Sequence, residues 1–115
     1  MTTKLDASEQ LRIRAGIQLL ADRKHVPVSD LEDMPLEKIE KDIRAARVTT
    51  WDIARHVAIG QNLQRLCEQF NIPASMTISE ALDQGLITQE DALSCYAVSP
   101  ETIEALIREH HWIAA

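Results

Sequence analysis

The residue types that usually perform chemistry are present in this chain but are not spaced to do so. His110 and His111 are neighbours, so on a helix they point about 100 degrees apart and cannot grip one metal ion from the same face. His25 and His56 have no Cys or acidic partner at ligand spacing. Asp30, Glu32 and Asp33 lack the glycine and the alternation of a calcium loop. Three glycines in 115 residues leave no Gly-rich phosphate loop. Cys67 and Cys95 stand far apart and outside any paired motif, which suits reduced thiols buried among apolar neighbours. We therefore expect no catalytic residue, no metal site, no cofactor and no enzymatic activity.

Binding is the chemistry that remains, and it is written in the charge distribution. From Met76 onward seven acids, Glu80, Asp83, Glu90, Asp91, Glu101, Glu104 and Glu109, face Arg108 alone, and this segment carries the whole net charge of -6. Between residues 38 and 65 the balance reverses, with six cations, Lys38, Lys41, Arg44, Arg47, Arg55 and Arg65, against Glu40, Asp42 and Asp52. Gln61 and Asn62 add side chains that hydrogen-bond base edges or phosphates. Arg44, Arg47, Arg55, Gln61, Asn62 and Arg65 are thus the candidate nucleic-acid-binding residues. Glu90, Asp91, Glu101, Glu104, Arg108 and an exposed Trp112 are the candidate partner-binding residues. With Trp51, Trp112, Tyr96 and Phe70 the only aromatics, no platform for stacking single-stranded bases is expected.

Helices must position these groups, because no strand-like alternation with turn signals occurs anywhere. Ser8 is placed to cap a first helix to about Lys24, with Leu11, Ala15, Leu19 and Ile13, Ile17, Leu20 at helical spacing. Residues 25 to 35 form a connector containing a short turn. A helix over roughly 35 to 47 should bury Leu36, Ile39, Ile43 and Ala46 and leave Lys38, Lys41, Arg44 and Arg47 outside. Thr49 or Thr50 caps a longer helix through Phe70, with Gly60 a point where it could break. Pro73 ends that pattern, and residues 73 to 75 divide a basic part (1–72) from an acidic one (76–112) within one domain, residues 1–115. Three compact helices follow, with Thr77 and Glu80, then Thr88 and Asp91, at capping-box spacing, Gly85 at a left-handed helix end, and Ser99-Pro100 at the last start. The expected fold is all-α, a compact bundle of about five to seven short helices.

Residues 87 to 106, ITQEDALSCYAVSPETIEAL, carry the spacing of a helix-turn-helix unit. Ala92 is the small residue at the crossing, Tyr96 ends the first helix, Ala97-Val98-Ser99 form the turn, and Ile103 and Leu106 face inward. With Gly85, Leu86, Ile87, Thr88, Glu90 and Glu101, this stretch resembles the helix-turn-helix superfamily, particularly small transposase-like and bacterial cell-cycle-regulator members. The resemblance implies a DNA-binding regulator whose second helix meets DNA. That helix, however, presents Glu101 and Glu104, and offers phosphates only Arg108, helped by His110 and His111, so phosphate contacts are expected in the 38–65 region instead. A second, looser fit to the same unit lies at 49 to 66, with Ala58-Ile59-Gly60 as its turn; one continuous helix explains those residues as well.

Two readings of function follow. In the first the chain is a small, non-enzymatic, cytoplasmic regulator of helix-turn-helix type, free of any cofactor, that uses the basic region for DNA and the acidic helices for a protein partner or a homodimer. In the second it is an acidic protein-interaction module, an adaptor or inhibitor, that docks on a basic or nucleic-acid-binding surface of its partner. No apolar stretch approaches the ~18 residues of a membrane span, so no membrane partner is expected.

Overall fold

The computed structural model describes residues 6–112. Among them are seven helices and no strand: α1 (Ala7–Lys24), α2 (Ser29–Glu32), α3 (Leu36–Ala45), α4 (Thr50–Gln69), α5 (Ile78–Asp83), α6 (Gln89–Ser94) and α7 (Pro100–Glu109). The protein is all-α.

One local device starts four of these helices. An apolar residue precedes a Ser or Thr N-cap, a side chain three places on completes the cap, and a second apolar residue follows directly. Thr49 accepts from the Asp52 amide and Asp52 reaches back to the Thr49 amide. Thr88 and Asp91 form the same reciprocal box. Thr77 accepts from the Glu80 amide, and Ser99 from the Thr102 amide. The flanking apolar pairs Val48 and Ile53, Met76 and Ala81, Ile87 and Ala92, and Val98 and Ile103 all enter the two hydrophobic clusters of the fold. Each pair occupies the positions of a hydrophobic staple, which fixes the angle at which the chain enters its helix.

Helix ends repeat a second device. His25, Arg47, Asn71, Gly85 and His111 adopt positive φ between 54° and 74°. The residue after each donates its amide to a carbonyl five places back: Val26 to Ala21, Val48 to Ile43, Ile72 to Cys67, Leu86 to Ala81 and Trp112 to Ile107. This Schellman geometry folds the following apolar residue back over the helix it has left. Only Gly85 uses the residue type that tolerates the conformation freely.

The central helix is α4, at 20 residues about 30 Å long. Its first half buries Ile53, Ala54, Val57 and Ala58 in the main cluster with α1, α2, α3 and α7. Its second half contributes Leu66 to a smaller cluster with Ile72, Ala81, Ile87, Ala92 and Cys95. Val57 and Leu66 are nine residues apart, two and a half turns, and so face opposite sides of the helix. The two parts divided at residues 73 to 75 are therefore built on one shared helix. Gly16 lets α1 approach α3, since a Cβ there would lie 2.7 Å from Ile43 Cδ1.

Two expectations are corrected, and a third, one continuous helix over 49 to 66 rather than a turn, holds. Asp6, not Ser8, caps α1, accepting from the Glu9 amide at 2.8 Å. Leu36 is 42% exposed, because it opens α3 ahead of the turn that carries Ile39 into the core. The chain between 49 and 66 has no turn: α4 runs unbroken through Gly60, and Ala58 and Ile59 are buried.

Candidate interaction surfaces

The ends of α1 and α3 and the start of α4 meet through side chains of α1. Arg23 hydrogen-bonds the Ala46 carbonyl and lies 3.4 Å from Asp52, and Lys24 lies 3.5 Å from Asp42. Arg12, further up α1, bridges Glu9 and Glu40. Burial of the Arg12 guanidinium works against its charge, but hydrogen bonds and attraction from Glu9 and Glu40 prevail and raise its pKa.

These pairs change the charge of the surface. Glu40, Asp42 and Asp52 are all the acids of the 38–65 stretch, and each is taken by a cation from α1. Lys38, Lys41, Arg44, Arg47 and Arg55 are exposed and hold no ion pair among the described residues. Trp51, 39% exposed, stands one turn before Arg55 on α4. Arg47 also occupies a left-handed helix end at φ 59°, so its backbone has a structural duty of its own.

The other candidate nucleic-acid residues do not join this group. Gln61 lines a groove between α1 and α4 with Leu11, Arg14, Gln18 and His56, where His56 Nε2 and Gln18 Oε1 are 2.6 Å apart. Asn62 donates its side-chain amide to the Cys95 carbonyl at 3.0 Å, tying α4 to α6. Arg65 borders the end of α6 beside Ser94. The helix rotates these side chains away from Arg55, since Gln61 follows it by six residues and Arg65 by ten, neither a whole number of turns.

The acidic end is carried by α5, α6 and α7. Glu90, Glu101, Glu104 and Arg108 are exposed, whereas Asp91 is half-buried and committed to its capping box. Sequence reasoning missed the most exposed apolar side chains here. Leu93, 61% exposed, stands on the outer side of α6 and Tyr96, 47% exposed, in the turn just after it, with Glu90 one turn before Leu93 and Leu86, at 42%, just ahead of the helix. Their counterparts Ala92 and Cys95 face inward. The signal in the sequence was the rank of α6 itself: Ala92 and Cys95 alone satisfy its narrow inner face, leaving Leu93 and Tyr96 no core to fill.

Trp112 is not an exposed anchor. It is 4% exposed in the main cluster, stacks on His110 with ring centroids 4.6 Å apart, and donates from Nε1 to the Ser8 carbonyl at 3.1 Å. Ser8 Oγ lies 2.8 Å from His110 Nδ1. The physical reason is the left-handed turn at His111, which reverses the chain after α7 and returns residue 112 to the start of α1.

The helix-turn-helix pattern places both helices where they occur, α6 and α7 on either side of residues 95 to 99. Its inward residues diverge, however. Ala92 enters the smaller cluster, Ile103 and Leu106 enter the main one, and Tyr96 faces outward. Both helices lean on α4. The outer side of α7 shows Glu101, Glu104, Arg108 and Glu109.

Cys67 and Cys95 are free thiols, the second buried, and burial pushes the Cys95 pKa up. No group of three His, Cys, Asp or Glu side chains among the described residues could hold a metal ion. No helix among them is long and apolar enough to cross a membrane. No protein-family model matches the chain, and no curated protein or solved structure is significantly similar to it.

Proposed function

We propose that the protein is a non-enzymatic interaction module that docks the outer face of α6 onto a basic, amphipathic surface of a protein partner. The observation that carries this reading is the exposure of Leu93 on α6 and of Tyr96 in the turn that follows it, 61% and 47%, within a segment where seven acids face one arginine. Apolar side chains in the middle supply burial, and Tyr is a residue type enriched at binding hot spots. Carboxylates around them, Glu90 nearest, speed the encounter and reject acidic partners.

Titration of a labelled basic, amphipathic helical peptide tests it by fluorescence anisotropy. Binding is expected to weaken with salt and to be lost in Leu93→Lys with Glu90→Lys, both at exposed positions. Binding unchanged by that pair of substitutions refutes the reading.

One observation supports DNA as a second ligand. The ion pairs from α1 leave Lys38, Lys41, Arg44, Arg47 and Arg55 without acidic partners, which is the arrangement phosphate neutralisation requires. A mixed-sequence duplex in the same assay should then bind with a steep salt dependence that Arg44→Glu with Arg55→Glu abolishes. Absence of duplex binding at low salt removes this second ligand.

A further inference from the structure

We propose that a second copy of this chain is a ligand of the α6 face, so that two different surfaces meet, the basic surface of Arg44 and Arg55 with Trp51 on one copy and the α6 face on the next. The proposal rests on the reading of α6 as a docking face and adds a competitor for it.

Both halves of a complementary contact lie on one chain. At the end of α3 is Arg44, and at the start of α4 are Arg55 and the exposed ring of Trp51. Beside the second half of α4, where Asn62 holds the Cys95 carbonyl and Leu66 enters the smaller cluster, α6 presents Leu93 and Glu90 and the turn after it Tyr96. Each surface thus offers an exposed aromatic residue and unpaired charge, with the signs opposed. Arginine and tryptophan on one side and tyrosine and leucine on the other match in type as well as in charge, since arginine stacks on aromatic faces.

The shape allows it. The molecule extends 48 × 32 × 26 Å, and its smallest section, 32 × 26 Å, is about 830 Å², so a surface of the ~800 Å² per partner of a standard interface fits on it. An interface of this size resting on charge should be concentration-dependent and salt-sensitive. Because two different surfaces meet, each added copy leaves one free basic surface and one free acidic surface, and growth continues unless the rotation closes a ring.

Sedimentation equilibrium of the full chain tests this between about 0.01 M and about 1 M salt, where the Debye length falls from ~30 Å to ~3 Å. The weight-average mass should rise above 12.9 kDa with concentration at low salt and return to it at high salt. Arg44→Ala with Arg55→Ala removes one face, and Glu90→Ala with Leu93→Ser the other, so that no charge-swapped pair arises in the mixture; Arg47 is left intact because of its backbone. Each variant should remain monomeric alone, and a one-to-one mixture should form a dimer that grows no further, since only one pair of intact faces remains. Circular dichroism shows that both variants are folded before they are mixed. A wild-type mass independent of concentration at low salt overturns the proposal while leaving the peptide-binding reading standing. Self-association with no loss in either variant overturns it too, by placing the contact elsewhere. Peptide binding that fails while the mixed dimer forms separates the two claims in the other direction.

Discussion

Replacing Trp112 by alanine removes a ring that is 4% exposed, its stack on His110 and its hydrogen bond to the Ser8 carbonyl. Truncation of a buried Trp to Ala costs at least about 3 kcal/mol. With a urea m-value near 1.5 kcal/mol/M, a loss of about 3 kcal/mol moves the midpoint down by ~2 M. That is a large share of the 5–15 kcal/mol that stabilises a typical domain. Trp112→Phe keeps most of the apolar ring and loses the indole donor, so its cost should be about 1 kcal/mol. Urea unfolding followed by far-ultraviolet circular dichroism measures both without relying on the fluorescence that the substitutions change. An exposed anchor predicts a different number, since surface substitutions fall within about ±0.5 kcal/mol. A Trp112→Ala midpoint that moves by no more than that would refute the clasp between α7 and α1.

Two helical glycines should respond with opposite signs. Gly60→Ala meets nothing within 4 Å and should stabilise by ~1 kcal/mol, whereas Gly16→Ala sets a Cβ 2.7 Å from Ile43 Cδ1 in the core and should destabilise; thermal melts of the two variants give the comparison. Thr49→Ala removes the reciprocal cap of α4 and should cost about 1 kcal/mol, read from the same melts. The buried Cys95 thiol favours its protonated form in the fold, so its contribution is complete below the ordinary thiol pKa and is lost as pH rises through the raised folded value. Stability should therefore decline at alkaline pH and decline less in Cys95→Ala, as urea midpoints across that range will show.

Local signals made much of this architecture legible. Thr77, Thr88 and Ser99 each announce a helix start that the structure contains, and Gly85 marks a helix end, because caps depend on residues three or four places apart. What the sequence hid was non-local or carried by unusual residue types. His25, Arg47, Asn71 and His111 take the backbone conformation usually given to glycine, so the turn that buries Trp112 has no glycine to reveal it. Ion pairs from Arg12, Arg23 and Lys24 to the acids of the basic stretch join residues at least 18 apart, and no pattern in either segment foretells them. The switch of the buried side along α4 is visible as an overly broad apolar pattern, but which side faces which neighbour is decided by packing. Helical rotation over six and ten residues is why Arg55, Gln61 and Arg65, close in sequence, do not share a patch.

The most direct test of the central claim places a photoreactive amino acid at position 93, and separately at position 44, and irradiates the protein with the basic amphipathic peptide and the labelled duplex both present. Docking through α6 predicts a peptide adduct from position 93 and none from position 44. Crosslinks from position 44 to the duplex, with position 93 unreacted, would contradict it and make the basic surface the functional one.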